Sequence, residues 1–324
     1  MKIDICPHIV PTKYREAIYR KAYLNSYARM IDTYPGALTD LDARFRIMDK
    51  YPGLTHLLNL GSNQGEHFAP AKDAVGLAKL ANDEMAELVS KYPDRFVGAI
   101  ASLPLNDMDA ALRELDRAIN ELGFRGIQIF SEINGKPLDS PEFMPLYEMM
   151  AYHDLPIFLH PRRESTMPDY AVEDESRYMV FLLFGWPYET TVAMTRLVCG
   201  GVLEKYPKLK VITHHCGGMV PYYADRITAL YDFFPQPNTQ SPLNYYRKFY
   251  GDTALAGSTE ALMCGYHFFG ASHILFGTDM SYGNQLEDGG TGKIISSINK
   301  LNISDAEKKQ IFEDNARELF HIPL

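Results

Sequence analysis

The residues of this chain best suited to chemistry stand at the ends of short apolar runs. The first run, MKIDICPHIVP (1–11), carries Cys6 and His8. On an extended strand, side chains two apart share a face, so this pair is expected to point into one site, and both are zinc donors. Three later runs end in the same way: PIFLHP (156–161) at His160, LKVITHH (209–215) at His214 and His215, and HILFGTD (273–279) at Asp279. Four buried ionisable strand ends without a common partner would be costly. One divalent cation shared among them removes that cost. Cys6, His8 and His160 offer soft or borderline donors and Asp279 a hard oxygen, a mixture that suits Zn²⁺ better than Ca²⁺ or Mg²⁺. A catalytic zinc keeps one position open, and a histidine beside it, with an unperturbed pKa of about 6.5, is suited to moving a proton.

His214 and His215 compete for that proton-moving role. Strand neighbours face opposite ways, so one of the two is expected to look into the site and the other toward the helices. Gly217 and Gly218 leave room for a ligand just after His215, which makes His215 the expected acid-base residue and His214 a helix-facing core histidine.

Apolar, β-rich runs alternate with amphipathic stretches along the whole chain, the pattern of βαβ units and a parallel sheet. Eight strands are expected, near 3–9, 56–61, 95–104, 126–131, 156–161, 209–215, 249–254 and 273–279. Helices are expected over 71–92, 107–123, 140–153 and 187–206, several starting at an Asp or Ser N-cap, and a terminal helix over 303–322. Eight such units in 324 residues fit one α/β domain, a (β/α)8 TIM-type barrel over residues 1–324. A doubly wound sheet is disfavoured, because no Gly-rich phosphate turn follows the first strand. Catalytic residues of such barrels sit at the C-terminal ends of the strands, where the Cys, His and Asp residues fall.

Composition narrows the partners. A net charge of −9 disfavours a nucleic-acid or anionic membrane surface and leaves a small molecule as the expected partner. With no run of about 18 apolar residues and no signal-peptide pattern, a cytoplasmic location is expected. The four cysteines, Cys6, Cys199, Cys216 and Cys264, are scattered as thiols of a reducing compartment would be.

Taken together, MKIDICPHIVP, YPDRFVGAIASLP (92–104), ELGFRGIQI (121–129), FLHP (158–161), GWPYETTVAMTRLVCGGVLEKYPKLKV (185–211), HCGGMVPYYADRI (215–227) and FGTD (276–279) resemble the amidohydrolase superfamily. Within it they resemble the branch of α-amino-β-carboxymuconate-ε-semialdehyde decarboxylase and related aromatic-acid decarboxylases. The resemblance implies a (β/α)8 barrel, one divalent metal, zinc or manganese, and non-oxidative loss of CO2 from an aromatic or conjugated unsaturated carboxylic acid. By position it implies His8, His160 and Asp279 as metal ligands, with Asp279 also at the reacting centre, and His215 as the acid-base residue. Arg226 matches an arginine that binds substrate carboxylate across a dimer interface, which implies a homodimer.

Two features depart from that pattern. The first strand carries Cys6-Pro7-His8 where relatives carry His-x-His or Glu-x-His, which adds Cys6 as a candidate fourth ligand. Residues 12–45 are short and supply no aligned second arginine, so Arg162 and Arg163, directly after HP, are the expected stand-ins for carboxylate binding. Decarboxylation is the expected reaction. A zinc hydrolase using an activated water on a lactone, amide or C–C ketone is the alternative, and a barrel with a decayed metal site a third.

Overall fold

The structure is a computed structural model that describes residues 1–20, 36–61, 64–231, 233, 238–280 and 288–323. Among the described residues eight short strands form in chain order: β1 (Lys2–Asp4), β2 (Leu54–Leu58), β3 (Phe96–Ala99), β4 (Ile127–Phe130), β5 (Ile157–His160), β6 (Val211–Thr213), β7 (Tyr250–Asp252) and β8 (Ile274–Leu275). All ladders are parallel, β1 through β3 in one sheet and β4 through β8 in the other. A parallel bridge between Ala101 and Ile127 joins the two sheets. The Ile5 amide donates to the Phe276 carbonyl at 3.0 Å and closes β8 onto β1. This is the eight-stranded barrel expected from the alternating pattern.

Strand alternation divides the core into two layers. Ile157 and Leu159 of β5 pack outward against the helices, whereas Phe158 joins Ile3, Leu57, Ile100, Ile212 and Leu275 in the barrel interior. Each such side chain contributes about 1.5–3 kcal/mol by leaving water. Leu319, Phe320 and Ile322 of the C-terminal tail belong to the same inner cluster. Nearby, the Met1 ammonium meets Glu313 at 2.9 Å, so the tail stoppers the barrel at the N-terminal ends of the strands. The opposite end, beyond His160, is left for a site.

The strands are shorter than the apolar runs, so Cys6, His8 and Asp279 lie in the loops just past them, and His214 and His215 open the short turn His214–Gly217 after β6. The expected helix 187–206 is two, Trp186–Cys199 and Val202–Lys205, broken where Gly201 takes a left-handed backbone (φ 75°). Asp107, Ser258 and Ser304 cap their helices, whereas Ser140 makes no such bond and Pro141 starts a 3-10 turn instead. The tail helix is continuous only through a wider turn over Gln310–Asp314. Of the segment 12–45, residues 21–35 lie outside the described residues. Among the described residues, no helix is long and apolar enough to cross a membrane.

Candidate active site

Asp4, the last residue of β1, builds the first part of the site. Its buried carboxylate accepts from the amides of Cys6 and Thr278, each at 3.0 Å, and from the Thr278 hydroxyl at 2.5 Å. One side chain thereby turns the loop carrying Cys6 and fixes the loop carrying Asp279. Burial, only partly offset by these bonds, raises the Asp4 pKa to about 6. Buried Arg44 secures the same loop from behind. Its guanidinium donates to the carbonyls of Pro7 (2.9 Å), Ala37 (2.8 and 3.1 Å) and His8.

Three histidines then face one another with the same nitrogen tied back. His8 Nδ1 lies 2.6 Å from Asn59 Oδ1; because Asn59 Nδ2 donates to the Ile5 carbonyl, the imidazole must be the donor. His160 Nδ1 donates to the Pro161 carbonyl at 2.7 Å, and His214 Nδ1 pairs with Asp252 Oδ2 at 2.5 Å. Each Nε2 is left toward the centre. His8 Nε2 is 3.2 Å from Asp279 Oδ1 and 3.4 Å from Cys6 Sγ, and His214 Nε2 is 3.7 Å from the same carboxylate oxygen. The His160 ring stands 4.9 Å from that of His214 and 5.3 Å from that of His8. Burying one nitrogen against an oxygen so that the other serves as a donor is how metal-binding histidines are oriented.

The ligand atoms of Cys6, His8, His214 and Asp279 lie within 4.8 Å of one another. His214 is therefore not the helix-facing residue that strand alternation implied. β6 ends at Thr213, and His215 and Cys216 take left-handed backbones (φ 54° and 52°), so the alternation no longer applies where the two histidines stand. Both face the site, with ring centroids 3.9 Å apart. Asp279 is also left-handed (φ 56°). Backbone strain of this kind concentrates at functional sites, where the surroundings over-determine it.

The electrostatics follow from this geometry. Burial opposes charge on His8, but Cys6 and Asp279 override it and carry its pKa up to about 10. Against the same burial, Asp252 and Cys6 hold His214 well above the usual imidazole range. His215 goes the other way: burial and the neighbouring His214 push it down to about 3, leaving a neutral ring. The donor set thus attracts positive charge at its centre. His160 stands outside that group of four, but its Nε2, like His214 Nε2 and Asp279 Oδ1, is buried without an aligned hydrogen-bond partner among the described residues, so the residues present fit a divalent cation.

The arginines are placed differently from expectation. Arg162 is clamped by Glu132 and by Glu164 (3.0 Å), and Arg163 by Glu189 (2.9 Å), so neither stands as an uncommitted carboxylate binder. Arg226 is exposed on the helix Ala224–Tyr231, none of whose residues is buried. Asp4, Asn59 and Asp252 were missed by sequence reasoning. Asp4 and Asp252 end their strands and Asn59 directly follows β2, so the positional signal that singled out the histidines was there to find them.

Comparison with known proteins adds to this geometry. A family profile described as Amidohydrolase matches residues 37–322. A 2-amino-3-carboxymuconate-6-semialdehyde decarboxylase of Dictyostelium discoideum is 34% identical over 259 residues, covering 78% of this chain and 68% of the relative. A gamma-resorcylate decarboxylase of Polaromonas sp. strain JS666 is 33% identical over 293 residues, 87% of each chain. Among solved structures, a dihydroxybenzoic acid decarboxylase from Polaromonas sp. JS666, with bound manganese and the inhibitor 2-nitroresorcinol, superposes with a TM-score of 0.82. It is 28% identical and covers 99% of this chain and 96% of its own.

Proposed function

From the premise that the chain belongs to the amidohydrolase family, we propose that it is a metal-dependent carboxy-lyase removing CO2 from an aromatic or conjugated unsaturated carboxylic acid. The observation that carries this reading is the ring of tied-back histidines around Asp279, which matches the metal dependence of the reaction. The named decarboxylases, 33–34% identical over most of the chain, favour C–C cleavage over hydrolysis.

The cation is proposed to be held by Cys6, His8, His160 and Asp279, with His214, braced by Asp252, at the same centre. When bound, it would supply Lewis acidity toward the oxygens of the substrate. Zinc is the proposed ion because Cys6 is a soft donor. The manganese of the Polaromonas structure makes that the ion to test against it. His215, with its Nδ1 buried without a partner among the described residues, is the residue proposed to pass a proton from solvent to the carbon that carries the carboxylate. The C–C bond then breaks, its electron pair returns to the π-system and CO2 leaves. Trp186, whose ring centroid lies 5.4 Å from His160 and 6.3 Å from His215, walls the site on one side.

We also infer a homodimer. Tyr178, Leu183, Phe184, Tyr222 and Phe233 are each more than half exposed. Their segments adjoin, for the Met219 amide donates to Thr191 Oγ1 at 2.8 Å. A second copy covering this face would carry Arg226 toward the partner's site as a carboxylate binder. Elemental analysis and a CO2 screen over hydroxybenzoates and muconate semialdehydes test the reaction: about one metal per chain and CO2 released without water consumed support it. No stoichiometric metal, or hydrolysis without CO2, overturns it. Mixing Arg226→Ala with His215→Ala chains tests the dimer, since each mixed dimer regains one intact site and about a quarter of wild-type activity should return.

A further inference from the structure

Next to the metal-type centre lies a second polar group that the mechanism above leaves unused. After β2 the chain reads Gln64-Gly65-Glu66-His67, and Gln64 is fully buried with neither amide atom paired among the described residues. Glu66 Oε1 and His67 Nε2, 3.6 Å apart, are likewise buried without an aligned partner, as is Arg162 Nε across from them. The group borders the reaction centre. The His67 ring packs edge-on against Phe130 at 4.3 Å, and Phe130 packs against His160 at 5.5 Å. So many unmet donors and acceptors along one turn, Gln64 to His67, are costly unless something polar occupies them.

The charge of this wall sets what that occupant is. Arg162 is cancelled by Glu132 and Glu164. Burial, working against the Arg162 charge, raises Glu66 to about 8, so near neutral pH it is an uncharged acid able both to donate and to accept. Such a surface offers nothing to neutralise an anion but several partners for an O–H group. We propose that Gln64, Glu66 and His67 form a specificity subsite that takes an uncharged hydroxyl of the substrate and discriminates against a second carboxylate. The inference rests on the carboxylic-acid reading of the neighbouring centre and deepens it.

Trp186, the single tryptophan of the chain, reports binding at this centre without turnover. The metal-loaded protein is titrated with benzoate, its mono- and dihydroxy derivatives, and phthalate, isophthalate and terephthalate, following Trp186 fluorescence, and CO2 release is measured for each acid. Wild type is expected to bind the best hydroxy acid at least about tenfold more tightly than the matching dicarboxylate. Gln64→Leu and His67→Phe should each erase most of that preference, through Kd and KM and with kcat within about twofold. Wild type preferring the dicarboxylates, binding no hydroxy acid at millimolar concentration, or keeping its preference in both variants overturns the subsite. Hydroxy acids that bind with the expected preference yet release no CO2 would leave the subsite standing and remove the decarboxylase reading instead.

Discussion

Asn59 is the residue whose replacement tests the site geometry most directly. It makes two buried hydrogen bonds, accepting from His8 Nδ1 at 2.6 Å and donating to the Ile5 carbonyl at 3.1 Å. Asn59→Leu, of similar volume, removes both at once. The abandoned imidazole N–H and carbonyl each lose about 1–3 kcal/mol as buried unsatisfied groups, so about 2–6 kcal/mol of stability should go. That is a large share of the roughly 5–15 kcal/mol that holds a domain together. Beyond stability, His8 loses the bond that selects its tautomer and aims Nε2 at the centre. Loss of such an outer partner costs about 10–100-fold in metal affinity, or about 1.4–2.8 kcal/mol. Urea denaturation of the metal-free protein reads the first effect and competition against a chelator of known affinity the second. A folded Asn59→Leu protein whose metal affinity stays within about twofold of wild type would refute the argument that the tied-back nitrogens prepare the centre.

Cys6→Ser and Cys6→His separate ligand from core: if the thiol is a donor, the serine variant should lose about tenfold or more in metal affinity while the histidine variant keeps metal and activity. The opposite pattern, serine retaining metal and histidine losing it, would make Cys6 a packing residue. Arg44→Lys, keeping the charge but replacing a fork that reaches three carbonyls with a single ammonium, should cost about 2–4 kcal/mol by thermal unfolding, and an unchanged Tm would deny the loop-holding role. Glu66 gives a pH signature. Its folded pKa of about 8 lies above the ordinary value, so the folded state holds the proton more tightly and wild-type stability should fall, by a few kcal/mol, as pH rises from about 4.5 to 8. Glu66→Gln should remove that decline, so that its Tm advantage over wild type grows across this window; a constant difference from pH 5 to 8 would place the titration elsewhere.

How much of this was legible in the sequence depends on whether the information was local. The barrel was, because hydrophobic alternation is a property of neighbouring residues and the eight strands follow it in order. The meeting of Cys6 with His8, at 3.4 Å, was legible for a reason that did not survive, since both lie past the end of β1 and it is Asp4, reaching to Thr278, that turns the loop. His214 was misplaced by the same strand logic, which has no means of seeing that Thr213 ends β6 and that His215 goes left-handed. The arginines failed on distance along the chain. Arg162 reads as a free cation beside HP until Glu132, thirty residues earlier, is folded against it. Under the proposed reading, that pairing leaves the recognition of substrate charge to the centre ringed by Asp279 and the histidines and to Arg226 rather than to the β5 loop. In that proposal the wall after β2 reads neutral groups, so two regions of one mouth would divide the work of binding a hydroxylated acid.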